Sequence, residues 1–250
     1  MKGVILCGGN GTRLLPLTRF LNKHCLPIGP AFKPMIQHCV EKMVDGGLQD
    51  IMVITGGEHL GGIAEFLGSG EDFDCQIIYR VQQKPGGIAQ ALALAEGYVD
   101  DSCCVLLGDN IFESSMRPLM EAYAVQLHQG AMVVLKEVND PQRFGVATIS
   151  DHMVRSEQRI IKIVEKPKNP ESNLAVTGIY FYDRHVFEII RRCKPSDRGE
   201  LEITDVNNAY VKEQKMGFVR LDGWWTDAGT HESYQLANQL MAGVSLPPQG

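Results

Sequence analysis

Long apolar runs and an excess of basic residues are both absent from this 250-residue sequence. No stretch approaches the roughly 20 apolar residues that a membrane-spanning helix needs. The amino terminus, Met1-Lys2-Gly3, leads directly into a predicted strand without an apolar targeting segment. The net charge of -6 argues against a broad surface for nucleic acid or for an anionic membrane. These absences predict a cytoplasmic protein that holds any anionic ligand with a few local cations.

Cysteine pairs and nucleophile motifs are missing as well. The cysteines include no C-x-x-C pair and no zinc-ligand spacing, and their odd number, 7, argues against a disulfide framework. No G-x-S-x-G motif occurs, and His24, His38 and His231 have no metal or triad partner at an informative spacing. We therefore expect buried, reduced thiols and histidines that pack rather than catalyse.

The most informative stretch that is present runs from Val4 to Pro27. Its first residues, Val-Ile-Leu-Cys, form a short apolar run typical of a buried parallel strand. Glycines then crowd into the following turn, where uncovered backbone N–H groups can converge on a phosphate. Arg13 and Lys23 add positive charge just downstream. This combination predicts a polyphosphate site, although an ordinary strand-to-helix turn with two solvated cations is an equal alternative at this stage.

The glycine turn departs from the two commonest phosphate motifs. A P-loop requires Lys-Ser/Thr after its last glycine, whereas Gly11 is followed by Thr12-Arg13. A dinucleotide fingerprint requires Gly or Ala where Leu14 stands. We therefore expect Arg13, rather than a P-loop lysine, to contact the phosphates, since guanidinium groups bind phosphate in a bidentate manner.

The order of predicted elements indicates an α/β fold. Buried strands are expected at Ile51–Thr55, Gln76–Val81 and Cys103–Leu107, with helices between them, one beginning at Pro34 and one near Leu60–Leu67. Alternation of this kind predicts one Rossmann-like domain with a mixed, mainly parallel sheet and helices on both faces. Ligands of such sheets bind at the carboxyl ends of the strands.

Polar residues follow two of these predicted strands. Asp109 comes directly after Cys103–Leu107, and a carboxylate there suits Mg²⁺, although it is also a common turn residue. The amide of Gln82, beside the glycine turn that ends at Gly87, can pair with the edge of a base. The adjacent Gln83 leaves the register open, and a plain turn before a helix is the alternative.

Several longer motifs resemble one family. The pattern G-G-x-G-T-R-L-x-P-L-T, with N-K, L-P and K-P-M-I after it, is similar to the sugar-1-phosphate nucleotidylyltransferases. L-G-D-N, E-K-P, A-V-T-G-I-Y-F-Y, R-G-E-L-E-I-T-D and W-x-D-x-G-T-x-x-S continue that resemblance almost to the end. The branch that it resembles most converts dTTP and glucose 1-phosphate into dTDP-glucose and pyrophosphate. The resemblance implies the nucleotidyltransferase fold.

The resemblance also implies roles for individual residues. The implied catalytic residues are Arg13, Lys23, Asp109 and Asp227. The implied nucleotide-binding residues are Leu6, Gly8, Gly9, Gly11, Thr12, Arg13, Gln82, Gly87 and Asp109. Those implied for the sugar phosphate are Gly145, Glu165, Lys166, Val176, Arg198 and Trp225. Asp109 and Asp227 would be the carboxylates that bind Mg²⁺.

The organisation that we expect is a single domain over 1–250. Residues 1–112 would bind the nucleotide, residues 113–240 would bind the sugar, and residues 244–250 would form a loose tail. Asp205 is expected to cap a helix, and Thr230 to Ser233 lacks the Glu or Gln of a capping box. The resemblance implies a homo-oligomer, either a dimer or a tetramer.

Two other functions stay open at the level of sequence. A uridylyltransferase, or an enzyme for another sugar, would carry the same motifs. A non-catalytic nucleotide-sugar-binding subunit is a different class, which loss of Arg13, Lys23 or either aspartate would favour. The run Ile28–Phe32 is longer than we expect for the thymidylyl branch, and the short carboxyl end makes a secondary regulatory nucleotide site doubtful.

Overall fold

A computed structural model describes residues 1–125, 130–150 and 158–243. The helices are α1 (Met35–Asp45), α2 (Leu60–Leu67), α3 (Ile88–Ala93), α4 (Arg117–Val125), α5 (Val186–Arg192), α6 (Ile203–Lys212) and α7 (His231–Met241). The first strands are β1 (Lys2–Cys7), β2 (Pro27–Ile28), β3 (Lys33–Pro34), β4 (Asp50–Gly56), β5 (Gln76–Gln82), β6 (Ser102–Leu107) and β7 (Asn110–Phe112). The remaining strands are β8 (Ala131–Glu137), β9 (Gly145–Ile149), β10 (Ile160–Glu165), β11 (Leu174–Asp183), β12 (Met216–Arg220) and β13 (Trp225–Asp227). The expected loose tail lies outside the described residues.

One large sheet organises these elements. Nine strands join in the order β10-β9-β11-β6-β1-β4-β5, with β8 and β12 attached through β11. The pairs β1–β4, β1–β6, β4–β5 and β8–β12 are parallel, whereas β11 runs antiparallel to β6, β8 and β9. The expected mixed, mainly parallel α/β sheet is therefore confirmed.

The central position of β1 explains its apolar sequence. Val4 and Leu6 pack with α3, α5 and α6 on one face of the sheet, and Ile5 and Cys7 pack with α1, α2 and α4 on the other. Side chains alternate between the faces of a strand, so a strand that is buried on both sides reads as a continuous apolar run. The expected helical cover of both faces follows from this packing.

Strand β11 joins the two halves of the sheet. Ala175 and Val176, near its start, pair with β9, and its second half, from Ile179 to Asp183, pairs with β6. The long apolar run at this point of the sequence is therefore a single strand, which pairs with β9 near its start and with β6 near its end along the same edge. This arrangement brings β9 and β10 to the cavity beside the carboxyl ends of β1 and β6.

Two expectations about helix ends were wrong. The cap of α6 is Glu202, with an extended ψ of 132°, so Asp205 lies inside the first helical turn. A negative charge in that turn faces the positive end of the helix dipole. Helix α7 does have a capping box: Thr230 Oγ1 accepts from the Ser233 N–H at 3.2 Å, and Ser233 Oγ accepts from the Thr230 N–H at 3.1 Å. Serine therefore takes the place of the usual Glu or Gln.

The described cysteines are all reduced, as expected. Six are buried and Cys193 is partly exposed. The Ile28–Phe32 run forms the turn between β2 and β3, where the Gly29 N–H donates to Asn238 Oδ1 of α7 at 2.9 Å. Within the described ranges, no helix combines the length and the apolar character that crossing a membrane requires.

Candidate active site

A cavity of about 390 Å³ opens at the carboxyl ends of β1 and β6. Its volume lies within the range of small-molecule sites, roughly 300–1,000 Å³. The predicted site residues that line it are Leu6, Gly8, Gly9, Arg13, Lys23, Gln82, Gly87, Asp109, Gly145, Glu165, Lys166, Val176, Trp225 and Asp227. Gly11, Thr12 and Arg198 belong to the described chain but lie outside this lining.

The turn after β1 directs Arg13 into the cavity. Gly9 has a φ of 89°, a left-handed conformation that a residue without Cβ adopts readily. Gly11, with a φ of 62°, precedes a 3-10 turn over Thr12–Leu14. Gly11 therefore shapes the turn from behind the wall, while Gly8, Gly9 and Arg13 face the cavity.

A short ribbon brings the two predicted metal carboxylates to the same end of the cavity. Asp109 follows β6 and leads into β7, whereas Asp227 is the last residue of β13. Strands β7 and β13 pair antiparallel, with Asp227 opposite Asn110. The Ala228 N–H also donates to the Asp109 carbonyl at 2.7 Å. The pairing of these two three-residue strands thus sets the positions of both aspartates.

Gly229 marks the space that the two carboxylates share. A methyl group at this position would lie 3.2 Å from Asp227 Oδ2, 3.3 Å from Arg13 Nη2 and 3.5 Å from Asp109 Oδ2. Both carboxylates and the guanidinium therefore converge on one small volume. Anionic oxygens beside a guanidinium form a site for a cation together with an anionic ligand.

Two internal cations neutralise these carboxylates. Lys23 Nζ donates to Asp109 Oδ2 at 2.6 Å, and Arg143 Nη2 donates to Asp227 Oδ1 at 2.7 Å. Burial opposes ionisation of Asp109, but the Lys23 charge and the hydrogen bonds from Lys23 and Asn110 together outweigh it and hold the pKa of Asp109 well below its usual range. Burial and the neighbouring Asp109 charge raise the pKa of Asp227 to about 6, despite Arg143. The negative charges of the two aspartates therefore repel each other, and a further cation bound between them would relieve that repulsion.

The donor set fits a hard divalent cation. Within the described residues no cluster of three or more His, Cys, Asp or Glu side chains could enclose a metal ion. Two carboxylates with oxygens facing one space suit a cation that takes its remaining ligands from water and from phosphate oxygens. Asp109 and Asp227 are the residues that would hold it.

Gly229→Ala tests this shared space. The added methyl group would contact only the ends of flexible side chains, so we expect the melting temperature to change by no more than a few degrees. Catalytic turnover should fall by about 100-fold or more, because a small misplacement of catalytic groups has that cost. Gly61→Ala is the matched control, since nothing lies within 4 Å of the added atom on α2. Unchanged metal-dependent turnover in Gly229→Ala would contradict the shared site.

One wall of the cavity, the amide wall, is formed by Gln82 and the turn through Gly87. Gln82 ends β5, is buried and lines the cavity, whereas Gln83 is exposed and lies outside the lining. Gly87 has a φ of 95°, and a Cβ there would lie 2.5 Å from the Leu201 carbonyl oxygen. Leu201 exchanges backbone hydrogen bonds with this turn, donating to the Gly86 carbonyl at 2.8 Å. Leu201 therefore supports the turn of the amide wall, whereas Glu200 and Glu202 of the same R-G-E-L-E segment line the cavity.

The opposite wall, the strand wall, carries Gly145, Glu165 and Val176. Gly145 pairs with Glu165 of β10 on one side and with Val176 of β11 on the other. Glu165 Oε2 accepts a hydrogen bond from Thr204 Oγ1 of α6 at 2.7 Å. The carboxylate is thus held in place at the cavity surface, where it can accept hydrogen bonds from a polyhydroxylated ligand.

Two cations lie at the rim beside the strand wall. Lys166 Nζ is 3.4 Å from Glu165 Oε1, and half of its side chain is exposed. Arg198 Nη2 is 2.9 Å from Glu202 Oε1 and 3.7 Å from Glu165 Oε1. Arg198 is therefore close to the predicted site residues without lining the cavity, and its role as a phosphate contact stays a prediction.

Sequence reasoning missed several polar residues of the cavity wall, among them Arg143, Thr204 and Asn207, and His24 also belongs to that wall. Arg143 stands two residues before Gly145, a position that could have drawn attention to it. Burial and the Lys23 charge lower the pKa of His24 to about 3, so its ring is neutral and packs under the site, as expected. Asn207 Oδ1 accepts from Tyr182 at 2.6 Å, and its buried Nδ2 has no partner among the described residues.

Comparisons with known proteins agree with this geometry. The model of the nucleotidyl transferase family matches residues 2–243. A glucose-1-phosphate thymidylyltransferase of Neisseria meningitidis serogroup A is 43% identical over 98% of this chain and 83% of its own length. A protein of the same name from Xanthomonas campestris pv. campestris is 40% identical over 98% of this chain and 82% of its own.

Solved structures share the fold at similar coverage. A Bacillus anthracis protein assigned as a glucose-1-phosphate thymidylyltransferase, in complex with sucrose, has a TM-score of 0.90 and 52% identity. That match covers 99% of this chain and 97% of the other. A UDP-glucose pyrophosphorylase with UDP-glucose has a TM-score of 0.85 and 25% identity, covering 96% and 97%. Motifs, cavity and comparisons together identify the chain as a member of the nucleotidyl transferase family.

Proposed function

We propose that this protein is a glucose-1-phosphate thymidylyltransferase. A phosphate oxygen of glucose 1-phosphate would attack the α-phosphorus of dTTP. The bond from that phosphorus to the bridging oxygen would break, so the products are dTDP-glucose and pyrophosphate. The observation that carries this proposal is the convergence of Asp109, Asp227 and Arg13 between the amide wall and the strand wall of one cavity.

The residues near the aspartates would position and neutralise the phosphates. Such transfers depend on alignment and on charge stabilisation more than on covalent help from the protein. Arg13, with the turn amides of Gly8 and Gly9, would bind the departing pyrophosphate, and Lys23 would hold the nucleotide phosphates. When bound by Asp109 and Asp227, Mg²⁺ would supply Lewis-acid stabilisation of the phosphate oxygens.

The amide wall would bind the base of the nucleotide, and the strand wall would bind the sugar. Gln82 and Gly87 would contact the base, and Leu6 lies on the same side of the cavity. Gly145, Glu165 and Val176 would contact the sugar, with Trp225 as an apolar surface at the base of the ribbon. Lys166 and Arg198 would align the sugar phosphate from the rim. Residues 1–112 would thus bind mainly the nucleotide and residues 113–240 mainly the sugar.

A uridylyltransferase is the second candidate. The structural likeness to a UDP-glucose pyrophosphorylase favours it, because that fold relative binds UDP-glucose. A non-catalytic binding subunit is disfavoured, since Arg13, Lys23, Asp109 and Asp227 all line the cavity. The dimeric or tetrameric state and the cytoplasmic location stay predictions, which sedimentation analysis and cell fractionation test.

The test is pyrophosphate release by the purified protein. It is measured with glucose 1-phosphate and Mg²⁺ across dTTP, UTP, dCTP, ATP and GTP, with product identification by mass spectrometry. We expect the fastest release with dTTP and none after chelation by EDTA. Faster pyrophosphate release with UTP than with dTTP would show that the protein is a uridylyltransferase, the second candidate. Absence of release with every nucleotide, from folded protein, would contradict the proposed function.

A further inference from the structure

The amide of Gln82 is fixed in one orientation. Its side chain is buried, with 9% exposure, and Nε2 donates to Gln90 Oε1 at 2.6 Å. A second, longer hydrogen bond runs from the same Nε2 to the Gly87 carbonyl at 3.4 Å. The opposite atom, Oε1, lies toward the glycine turn, 3.2 Å from where a Cβ of Gly8 would stand. The donor end of this amide is therefore occupied and the acceptor end faces the cavity.

Rotation of the Gln82 amide by 180° is opposed by both partners of Nε2. The Gly87 carbonyl can only accept hydrogen bonds, so it cannot pair with an oxygen. As Gln90 lies, its Oε1 would oppose Gln82 Oε1 at hydrogen-bonding distance, and if the Gln90 amide rotated as well, Gln82 Oε1 would still face the Gly87 carbonyl. An unpaired buried polar group is costly, which keeps the amide as it is.

Gln90 is itself held against the turn. It lies on α3, and a Cβ added at Gly86 would come within 2.5 Å of Gln90 Cδ. The Gln90 side chain therefore lies directly on the Gly86 backbone. Any side chain at position 86 would displace Gln90 from Gln82.

We propose that Gln90 is a positioning residue that sets base selectivity by locking the Gln82 amide. With Oε1 toward the cavity, Gln82 accepts a hydrogen bond and so selects a base that donates at its ring nitrogen. Thymine and uracil carry an N3–H, whereas N3 of cytosine is an acceptor. The lock rejects cytosine and does not distinguish thymine from uracil. This inference rests on the proposed function, because it assumes that the amide wall binds the base.

Two variants of Gln90 distinguish an effect on the orientation of the Gln82 amide from a general packing defect. Gln90→Leu keeps much of the volume but removes the acceptor at 2.6 Å, so only the longer hydrogen bond to the Gly87 carbonyl still opposes rotation of the Gln82 amide toward cytosine. Gln90→Glu is the matched control, because a carboxylate only accepts hydrogen bonds and holds the Gln82 NH₂ group in place. The readout is the ratio of Kd for dCDP to Kd for dTDP, by titration calorimetry without sugar phosphate. A packing defect weakens both ligands and leaves this ratio unchanged.

The wild-type protein should prefer dTDP, Gln90→Glu should keep that preference, and Gln90→Leu should narrow it by about tenfold or more. If the ratio of Kd for dCDP to Kd for dTDP is unchanged in Gln90→Leu, or if the wild type binds both nucleotides equally, the proposed role of Gln90 is wrong. Absence of binding by either nucleotide overturns both the lock and the proposed function. A protein that discriminates in binding but releases no pyrophosphate with sugar phosphate overturns the proposed transfer alone.

Discussion

Asp109→Asn is expected to abolish turnover, with a loss of about 1,000-fold or more. The substitution preserves shape but removes the charge that pairs with Lys23 at 2.6 Å and faces the space shared with Asp227. It should also lower the pKa of Asp227, because the charge of Asp109 is one of the causes that raise it. Steady-state kinetics and the pH dependence of Asp227, followed by NMR, measure the two effects.

Asp109→Asn should also cost stability at neutral pH. The folded-state pKa of Asp109 is depressed, so its stabilising contribution exists above the unfolded pKa of roughly 4 and is lost as the pH falls. The stability difference from wild type should therefore disappear in acid. Asp45→Asn is the control, because Asp45 accepts hydrogen bonds from Ser115 and Met116 outside the cavity. Full turnover by Asp109→Asn would contradict the proposed site. An equal loss of turnover in Asp45→Asn would contradict it as well.

Asp227→Asn is expected to abolish turnover by a similar factor while making the metal-free protein more stable. The folded-state pKa of Asp227 is raised to about 6, so the folded protein binds this proton more tightly than the unfolded chain does. That contribution to stability is present at low pH and is lost as the pH rises through 6. At pH 8 the neutral variant should therefore gain about 1–3 kcal/mol, and below pH 4 the gain should vanish.

Arg143→Gln is expected to have the opposite effect on stability from Asp227→Asn. It removes the guanidinium at 2.7 Å, so the buried carboxylate loses its counter-charge and the metal-free protein should be less stable at pH 8 than wild type. Urea unfolding of the three proteins at pH 4 and pH 8, after removal of divalent cations, gives the comparison. A destabilised Asp227→Asn at pH 8 would show that the aspartate is a structural ion-pair partner and not a strained metal ligand.

The sheet and the first loop could be predicted because their signals are local. The apolar run of β1, the glycines after it and the aspartate after β6 each follow from a few adjacent residues. The motif resemblance then brought residues from both halves of the chain to one site. Of those, Gly11, Thr12 and Arg198 stand behind or beside the cavity wall, a distinction that motif matching does not make.

The ion pairs of the site could not be predicted, because they depend on distant parts of the chain. Arg143 and Asp227 are 84 positions apart and meet only because the β7–β13 ribbon brings the aspartate to the 3-10 turn that precedes β9. Strands of three residues are too short to show a period of two, so neither β7 nor β13 was expected. Gln82 and Gln90 are only eight positions apart, but their hydrogen bond could not be predicted either, since it requires the turn before α3 to direct Gln90 back toward β5.

The most direct test of the proposed mechanism is the stereochemical course at the α-phosphorus, with a chiral α-thio analogue of dTTP and glucose 1-phosphate. Among the described residues of the cavity wall there is no serine or cysteine, and Lys23 Nζ is held in an ion pair with Asp109 at 2.6 Å. The His24 ring is buried, with its Nδ1 hydrogen-bonded to Asn22 Oδ1 at 2.7 Å. Direct attack by the sugar phosphate is therefore expected. One in-line displacement predicts inversion of configuration. Retention would require two displacements through a covalent nucleotidyl-enzyme and would contradict a site built only to align and neutralise its substrates.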